Sequence, residues 1–439
     1  MTHTPLRVLI LAESCNPEWS SIPLVGWSHY EALSKIADVH LITRTRNRPA
    51  LNRFGLKEGR DYTAINTEFV FEPMARLVQW ISGPNKGWAA LTALTIPSYQ
   101  LFELIAWQRF KKQLATSRFD LVHRITPVSP AMPSPFAKRC HKLGVPFILG
   151  PINGGLPWPK EFPSLQKQEG EWLSRFRALF KKVPGYKATR EASSAIIVGG
   201  KSAYHEIPNK WKNKVIYIPE NGFDPTRFPS PKDIASKTYK NDPIKAVYLG
   251  RLVPYKGCDM LIEAASELIR TGKIHLTIIG SGPEEENIRG LITRYDINDG
   301  VTFTGELRHR QVAEHMTGAD ILTFPSVHEF GGAVVLEAMA MGVVPVITNY
   351  GGPAELASPQ CAFLVPLKER AAYITSLKET LQTIVSDPSC LIPLSRNSQK
   401  RAYHLFTWAQ KAQQSKAIYE WVLGIKSQRP NWGMPFDDK

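Results

Sequence analysis

Two carboxylates eight positions apart, Glu329 and Glu337, lie in the stretch Ser326-Val-His-Glu-Phe-Gly-Gly-Ala-Val-Val-Leu-Glu-Ala-Met-Ala-Met-Gly342. From Ala333 to Met341 every residue except Glu337 is apolar. A Gly331-Gly332 turn precedes this run, and Gly342 can supply the left-handed cap that ends it. The pattern predicts a short buried helix of about 2.5 turns. Bare N–H groups at the start of such a helix form an anion site, and phosphate is the usual guest. A carboxylate within the helix costs several kcal/mol unless something binds it. Vicinal ribose hydroxyls suit it, because an ionised carboxylate accepts two hydrogen bonds. A core Arg or a backbone group is the structural alternative.

Cations stand at a second position. In Tyr248-Leu-Gly-Arg-Leu-Val-Pro-Tyr-Lys-Gly257, Arg251 and Lys256 follow an apolar run and precede a helical pattern. From there both can converge on a diphosphate and stabilise it as a leaving group without a metal; otherwise they are solvated surface charges. Two glycine turns follow strand-like runs, Ile278-Ile-Gly-Ser-Gly-Pro-Glu284 and Thr348-Asn-Tyr-Gly-Gly-Pro-Ala-Glu355. A lone Gly-x-Gly is weak evidence, since any tight strand-to-helix turn can use one. Gly351 and Gly352 suit close backbone packing, and Glu355 suits a first-turn helix charge better than a ligand contact.

These segments together resemble retaining glycosyltransferases of family 4, which have the two-domain GT-B fold. The family's acidic signature is a Glu, seven residues, then a second Glu opening Glu-Ala-(Met/Leu)-Ala-x-Gly, here Glu329 and Glu337 to Gly342. Phe330-Gly331-Gly332 departs from the commoner Gly-Phe-Gly, so the register of N–H groups toward a phosphate is altered. The family's Gly-Arg-Leu-x-x-x-Lys-Gly element matches Gly250 to Gly257. Ile218-Pro-Glu-Asn-Gly-Phe-Asp224 is similar to its Pro-Asn-Gly-Val-Asp linker, with Glu220 inserted and Phe223 for Val. The resemblance implies a donor site of Gly250, Arg251, Lys256, Gly280, Gly282, Glu329, Phe330, Gly331, Gly332, Ala333 and Glu337. Glu329, Arg251, Lys256 and His123 would carry catalysis, His123 because the family commonly has a His at the end of that strand. On the acceptor side the candidates are Gly26, His123, Asn153 and Gly154. No Asp-x-Asp stands in a suitable loop, so neither a metal nor a cofactor is expected.

Short apolar runs alternate with longer amphipathic ones, the signature of parallel α/β layers. Expected strands in the first half are Arg7–Glu13, His40–Arg44, Asn66–Phe71, Leu121–Thr126, Phe147–Pro151, Ala195–Val198 and Val215–Pro219. In the second they are Ala246–Gly250, His275–Gly280, Val301–Gly305, Ile321–Phe324, Val344–Thr348 and Phe363–Val365. The proline- and glycine-dense run near Asn221–Lys232 marks a linker. The expected organisation is two Rossmann-like domains, 1–222 on the acceptor side and 244–405 on the nucleotide side, joined by 223–243. The resemblance adds parallel sheets facing a cleft and a helix at 406–428 crossing back to the first domain, with a tail at 429–439.

At 439 residues the chain has room for two cores. No apolar run reaches 18 residues, and five scattered cysteines suggest reduced thiols in a cytosol. The N-terminal apolar run reads as a first strand rather than a signal peptide. Residues 1–220 carry 30 Lys+Arg against 16 Asp+Glu, or +14, whereas 221–439 carry 24 against 23, or +1. A basic first half implies an acidic partner. Nucleic acid fits worst, for want of any zinc-finger, tandem basic or RNP-like pattern. Trp172, Leu173, Phe176, Leu179 and Phe180, flanked by Arg175, Arg177, Lys181 and Lys182, could lie on an anionic bilayer or pack as a core face. Leu101–Leu114 carries the same ambiguity. The expectation is a cytoplasmic glycosyltransferase, peripheral at a membrane's inner face, moving sugar from a UDP- or GDP-sugar to a glycan or lipid-linked acceptor. A GT-B-fold epimerase or phosphorylase and a non-catalytic partner subunit are the alternatives.

Overall fold

The computed structural model describes residues 5–73, 76, 88–168, 182–230, 242–307 and 309–434, without the side chains of 88–95 and 309–310. The Trp172–Phe180 stripe with Arg175, Arg177 and Lys181 lies outside the described residues, as do 231–241 of the expected linker.

Two parallel sheets organise the chain. The first contains β1 (Arg7–Ala12), β2 (Asp38–Arg44), β3 (Tyr62–Ile65), β4 (Leu121–Thr126), β5 (Phe147–Ile152), β6 (Ala195–Val198) and β7 (Val215–Tyr217), in the order 3-2-1-4-5-6-7. The second contains β8 (Ile244–Leu249), β9 (Ile274–Ile279), β10 (Val301–Gly305), β11 (Ile321–Phe324), β12 (Val344–Thr348) and β13 (Phe363–Val365), in the order 10-9-8-11-12-13. In β1 the run Val8–Ala12 is wholly apolar, as a strand covered on both faces requires. Val8 to Ala12 are fully buried in β1, as are Ile321 and Leu322 in β11.

The expected strand at Asn66–Phe71 is corrected. The third strand ends before it, pairing Leu41 with Tyr62 through Arg44 with Ile65. Asn66 Oδ1 then accepts the Glu68 N–H, and Val70 and Phe71 N–H groups donate to the Thr67 carbonyl. A capping side chain thus starts a helical turn where aromatic residues suggested a strand. The Leu101–Leu114 ambiguity resolves toward the core: Phe102, Ala106, Phe110 and Leu114 are all buried.

Two compact units result. One holds the described residues within Met1–Gly155, Gln166–Glu220 and Trp408–Asp437; the other holds those within Leu156–Leu165 and Asn221–Thr407. In the first, the final helix Trp408–Val422 packs on the helix Ile22–Ser34, with Trp408 edge-on to His29 at 5.1 Å. In the second, Phe162 from Leu156–Leu165 joins a core that includes Tyr248, Leu252 and Met260. Within the second sheet the chain builds β8, β9 and β10 to one side, then crosses to β11, β12 and β13 on the other. The reversal lies between β8 and β11, and a parallel sheet opens its ligand crevice at the carboxyl ends of such a strand pair.

Candidate active site

The loops leaving β8 and β11 bring two of the predicted residues into contact. Lys256 Nζ and Glu329 Oε2 form an ion pair whose side chains are 14% and 20% exposed, so water screens it only in part. Burial alone would raise the Glu329 carboxyl. Lys256, with the N–H groups of Gly331 and Gly332, outweighs that and holds it below its ordinary value. The Gly331 N–H stands 3.4 Å from Oε1. Lys256 Nζ also lies 5.0 Å from the centre of the Phe324 ring.

Backbone packing fixes the loops around this pair. Gly280 has φ +146°, and an added Cβ there would stand 1.9 Å from the Gly250 carbonyl. The Leu252 N–H donates to the Ser281 carbonyl at 2.8 Å and the Gly250 N–H to the Ile279 carbonyl at 3.1 Å, so the Gly250 and Gly280–Gly282 loops form one platform. Arg251 is exposed beside it and, among the described residues, has no ion pair. Gly351 backs Glu329: its φ is +69°, and a Cβ there would stand 2.5 Å from the Glu329 carbonyl. The Gly352 N–H donates to that same carbonyl at 2.9 Å. Glu355 is buried at 8% exposure, next to last in the helix Gly351–Leu356 rather than in its first turn as expected.

The predicted helix is Ala333–Ala340, opened by Gly332 with no side-chain cap and followed by Gly342 at φ +71°. Its first N–H groups are therefore not engaged by any capping side chain. Glu337 lies on the helix, and burial pushes its carboxyl up to about 7, opposed only by the charge of Arg227. Among the described residues no hydrogen bond or ion pair holds it, so the core-Arg alternative is not realised as a contact. Phe330 is 37% exposed.

Residues outside the predicted set complete the site. His328 is buried and stacks on Trp158 with ring centres 4.1 Å apart and planes 9° apart. Its Nε2 lies 3.2 Å from the Leu156 carbonyl. The Tyr350 hydroxyl donates to the Pro157 carbonyl at 2.6 Å. Nothing in the periodicity of Leu156-Pro-Trp-Pro159 signals that it packs beside a loop more than 160 positions later; its two prolines flag only an irregular segment.

The first-unit candidates have structural surroundings. His123 is fully buried, with Nδ1 2.6 Å from the Tyr419 hydroxyl and Nε2 2.6 Å from the Gly150 carbonyl. Both ring nitrogens are engaged, and burial lowers its pKa to about 4. It ties β4 to the final helix. The Asn153 amide donates to Glu220 at 2.6 Å, while its Oδ1 accepts the Gly154 N–H at 2.7 Å. A Cβ on Gly26 would stand 2.2 Å from the Ser14 carbonyl, which makes Gly26 a close-packing residue.

Residues 230–404 match the family model of glycosyl transferases group 1. The gpi3 subunit of phosphatidylinositol N-acetylglucosaminyltransferase from Schizosaccharomyces pombe is 26% identical over 45% of this chain and 44% of its own length. The putative colanic acid biosynthesis glycosyltransferase WcaL of Escherichia coli is 29% identical over 44% and 47%. The chain thus spans about half the length of the curated relatives it matches. Sucrose-phosphate synthase from Thermosynechococcus elongatus superposes with a TM-score of 0.61 at 19% identity, covering 96% of this chain and 100% of that one. The Anabaena HepE protein in complex with UDP gives 0.60 at 16%, covering 94% and 98%. The fold is therefore of the GT-B type. Among the described residues no helix is long and apolar enough to cross a membrane.

Proposed function

We propose that this protein is a retaining, metal-independent glycosyltransferase that moves a sugar from a nucleotide diphosphate sugar, UDP- or GDP-linked, to a glycan or lipid-linked acceptor. The observation that carries the reading is the Lys256–Glu329 pair at the β8/β11 reversal, with Glu337 eight residues on along an uncapped helix. The donor diphosphate would lie along Arg251 and Lys256, whose charges stabilise it as it leaves. Lys256 would then be shared between Glu329 and the diphosphate, which holds the ammonium in place before the donor arrives. Glu329 would accept from a hydroxyl of the donor sugar near its reacting carbon, and Glu337 from the ribose.

In the transfer, the bond between the anomeric carbon and the β-phosphate oxygen breaks. The acceptor oxygen bonds to the same face, and its proton leaves with the departing diphosphate. The resemblance to family 4 supports this front-face course, and the UDP complex of HepE supports a nucleotide donor. The first unit would hold the acceptor. Relatives named for colanic acid and phosphatidylinositol chemistry support a polysaccharide or lipid-linked acceptor.

A thermal-shift screen of UDP-, GDP- and ADP-sugars, followed by calorimetry on the strongest hit, tests the donor assignment. One nucleotide series should raise the melting temperature in EDTA as well as in magnesium. Absence of any shift across all three series contradicts it.

A further inference from the structure

The segment Leu156–Leu165 lies in chain order between stretches of the first unit but belongs to the second. There it meets three residues, each one position before a residue of the site. The Trp158 ring meets Tyr255 edge-on at 6.0 Å, and Tyr255 precedes Lys256. The same ring stacks on His328, which precedes Glu329, and the Leu156 carbonyl faces His328 Nε2. The Pro157 carbonyl accepts from Tyr350, which precedes the Gly351 that backs Glu329. Tyr255 and the β11 loop are also tied together directly, by the Val327 N–H donating to the Tyr255 carbonyl at 2.9 Å.

We propose that Trp158 is a positioning residue: with the Leu156 and Pro157 carbonyls it clamps Tyr255, His328 and Tyr350, and so sets the distance between Lys256 and Glu329. The proposal rests on the donor-site reading above. The physical reason is spatial. An ion pair between a lysine on a flexible stem and a half-buried glutamate is strong only while both loops hold one geometry. Neither loop is a strand or a long helix at that point; Lys256 ends a three-residue turn, and Glu329 precedes the helix by several residues. A tryptophan wedged against the residues next to both constrains the pair through them. His328 Nε2 points at a carbonyl, so it carries the proton there and the ring presents a fixed face to Trp158. Phe162 anchors the far part of the same segment in the core, which keeps the wedge seated.

Trp158→Ala, with Trp158→Phe as the conservative control, tests the proposal on the whole chain by two readouts. The first is the ¹³C titration of the Glu329 carboxyl, assigned by its loss in Glu329→Gln. The charged group acting on that carboxyl is Lys256, joined by the neutral Gly331 and Gly332 N–H donors. Loosening the pair in Trp158→Ala should move the Glu329 midpoint upward, and Trp158→Phe should restore most of the wild-type value. The second is sugar transfer from the donor identified in the screen. Trp158→Ala should lower kcat by about tenfold, the scale of one misplaced charge-assisted contact, with KM for the donor within about twofold. An unchanged Glu329 midpoint in folded Trp158→Ala overturns the proposal. If the wild type transfers no sugar from any donor, the donor-site reading fails, and the titration still decides the clamp.

Discussion

Lys256 and Glu329 hold each other without a donor present, so substituting either should change stability as well as turnover. Lys256→Ala leaves Glu329 partly buried with no cation beside it, which costs about 1–3 kcal/mol. The variant should melt below wild type and lose at least ten- to a hundredfold in transfer. Lys256→Ala combined with Glu329→Gln should recover the melting temperature and not the activity, and recovery of both would remove the pair from the mechanism. Glu329 and Glu337 should also respond to pH with opposite signs. The folded pKa of Glu329 is depressed, so its contribution is present above the unfolded value and lost as pH falls through the folded one. Glu337 is raised to about 7, so stability present at low pH is lost as pH rises through 7. Glu337→Gln should therefore melt above wild type at pH 8 and alongside it at pH 4. If ribose hydroxyls donate to the ionised carboxylate, donor binding releases a proton near pH 7. Wild-type affinity for the nucleotide diphosphate sugar should then be tighter at pH 8 than at pH 6, and that slope should vanish in Glu337→Gln. Unchanged affinity and slope in the variant would make Glu337 a core carboxylate.

Glycine positions separate element from ornament. Gly351→Ala drives a Cβ to within 2.5 Å of the Glu329 carbonyl at a left-handed backbone, whereas Gly250→Ala meets nothing nearer than 3.6 Å. Gly351→Ala should thus lower the melting temperature, and Gly250→Ala should leave it near wild type; equal thermal melts of the two would count against the packing described. Both glycines were legible in the sequence as members of turns, but only the fold separates the close contact from the open one. The helix bearing Glu337 was fully legible, because an all-apolar run interrupted once and bounded by glycines admits few readings. The strand expected at Asn66–Phe71 was not, because one Asn cap outweighs four β-favouring residues. Trp158 was invisible because stacking across more than 160 positions leaves no periodic trace.

For the whole molecule, charge and chemistry divide along the chain, with +14 in residues 1–220 and the candidate site's charged residues beyond residue 250. An anionic acceptor surface fits that division. Each Lys or Arg near such a surface contributes about 1 kcal/mol, screened by salt. The protein should pellet with anionic liposomes at low salt, release at high salt, and ignore neutral ones. Equal pelleting with both, or none at any salt, points to a soluble acceptor. The central claim concerns the reaction itself, and NMR of the anomeric proton during turnover tests it most directly. With the selected donor, a glycan or lipid-linked acceptor and EDTA, the wild type should release nucleotide diphosphate and form a glycoside of the donor's own anomeric configuration, while Glu329→Gln and Lys256→Ala form at least tenfold less. An inverted product, or full transfer by Lys256→Ala, would contradict it.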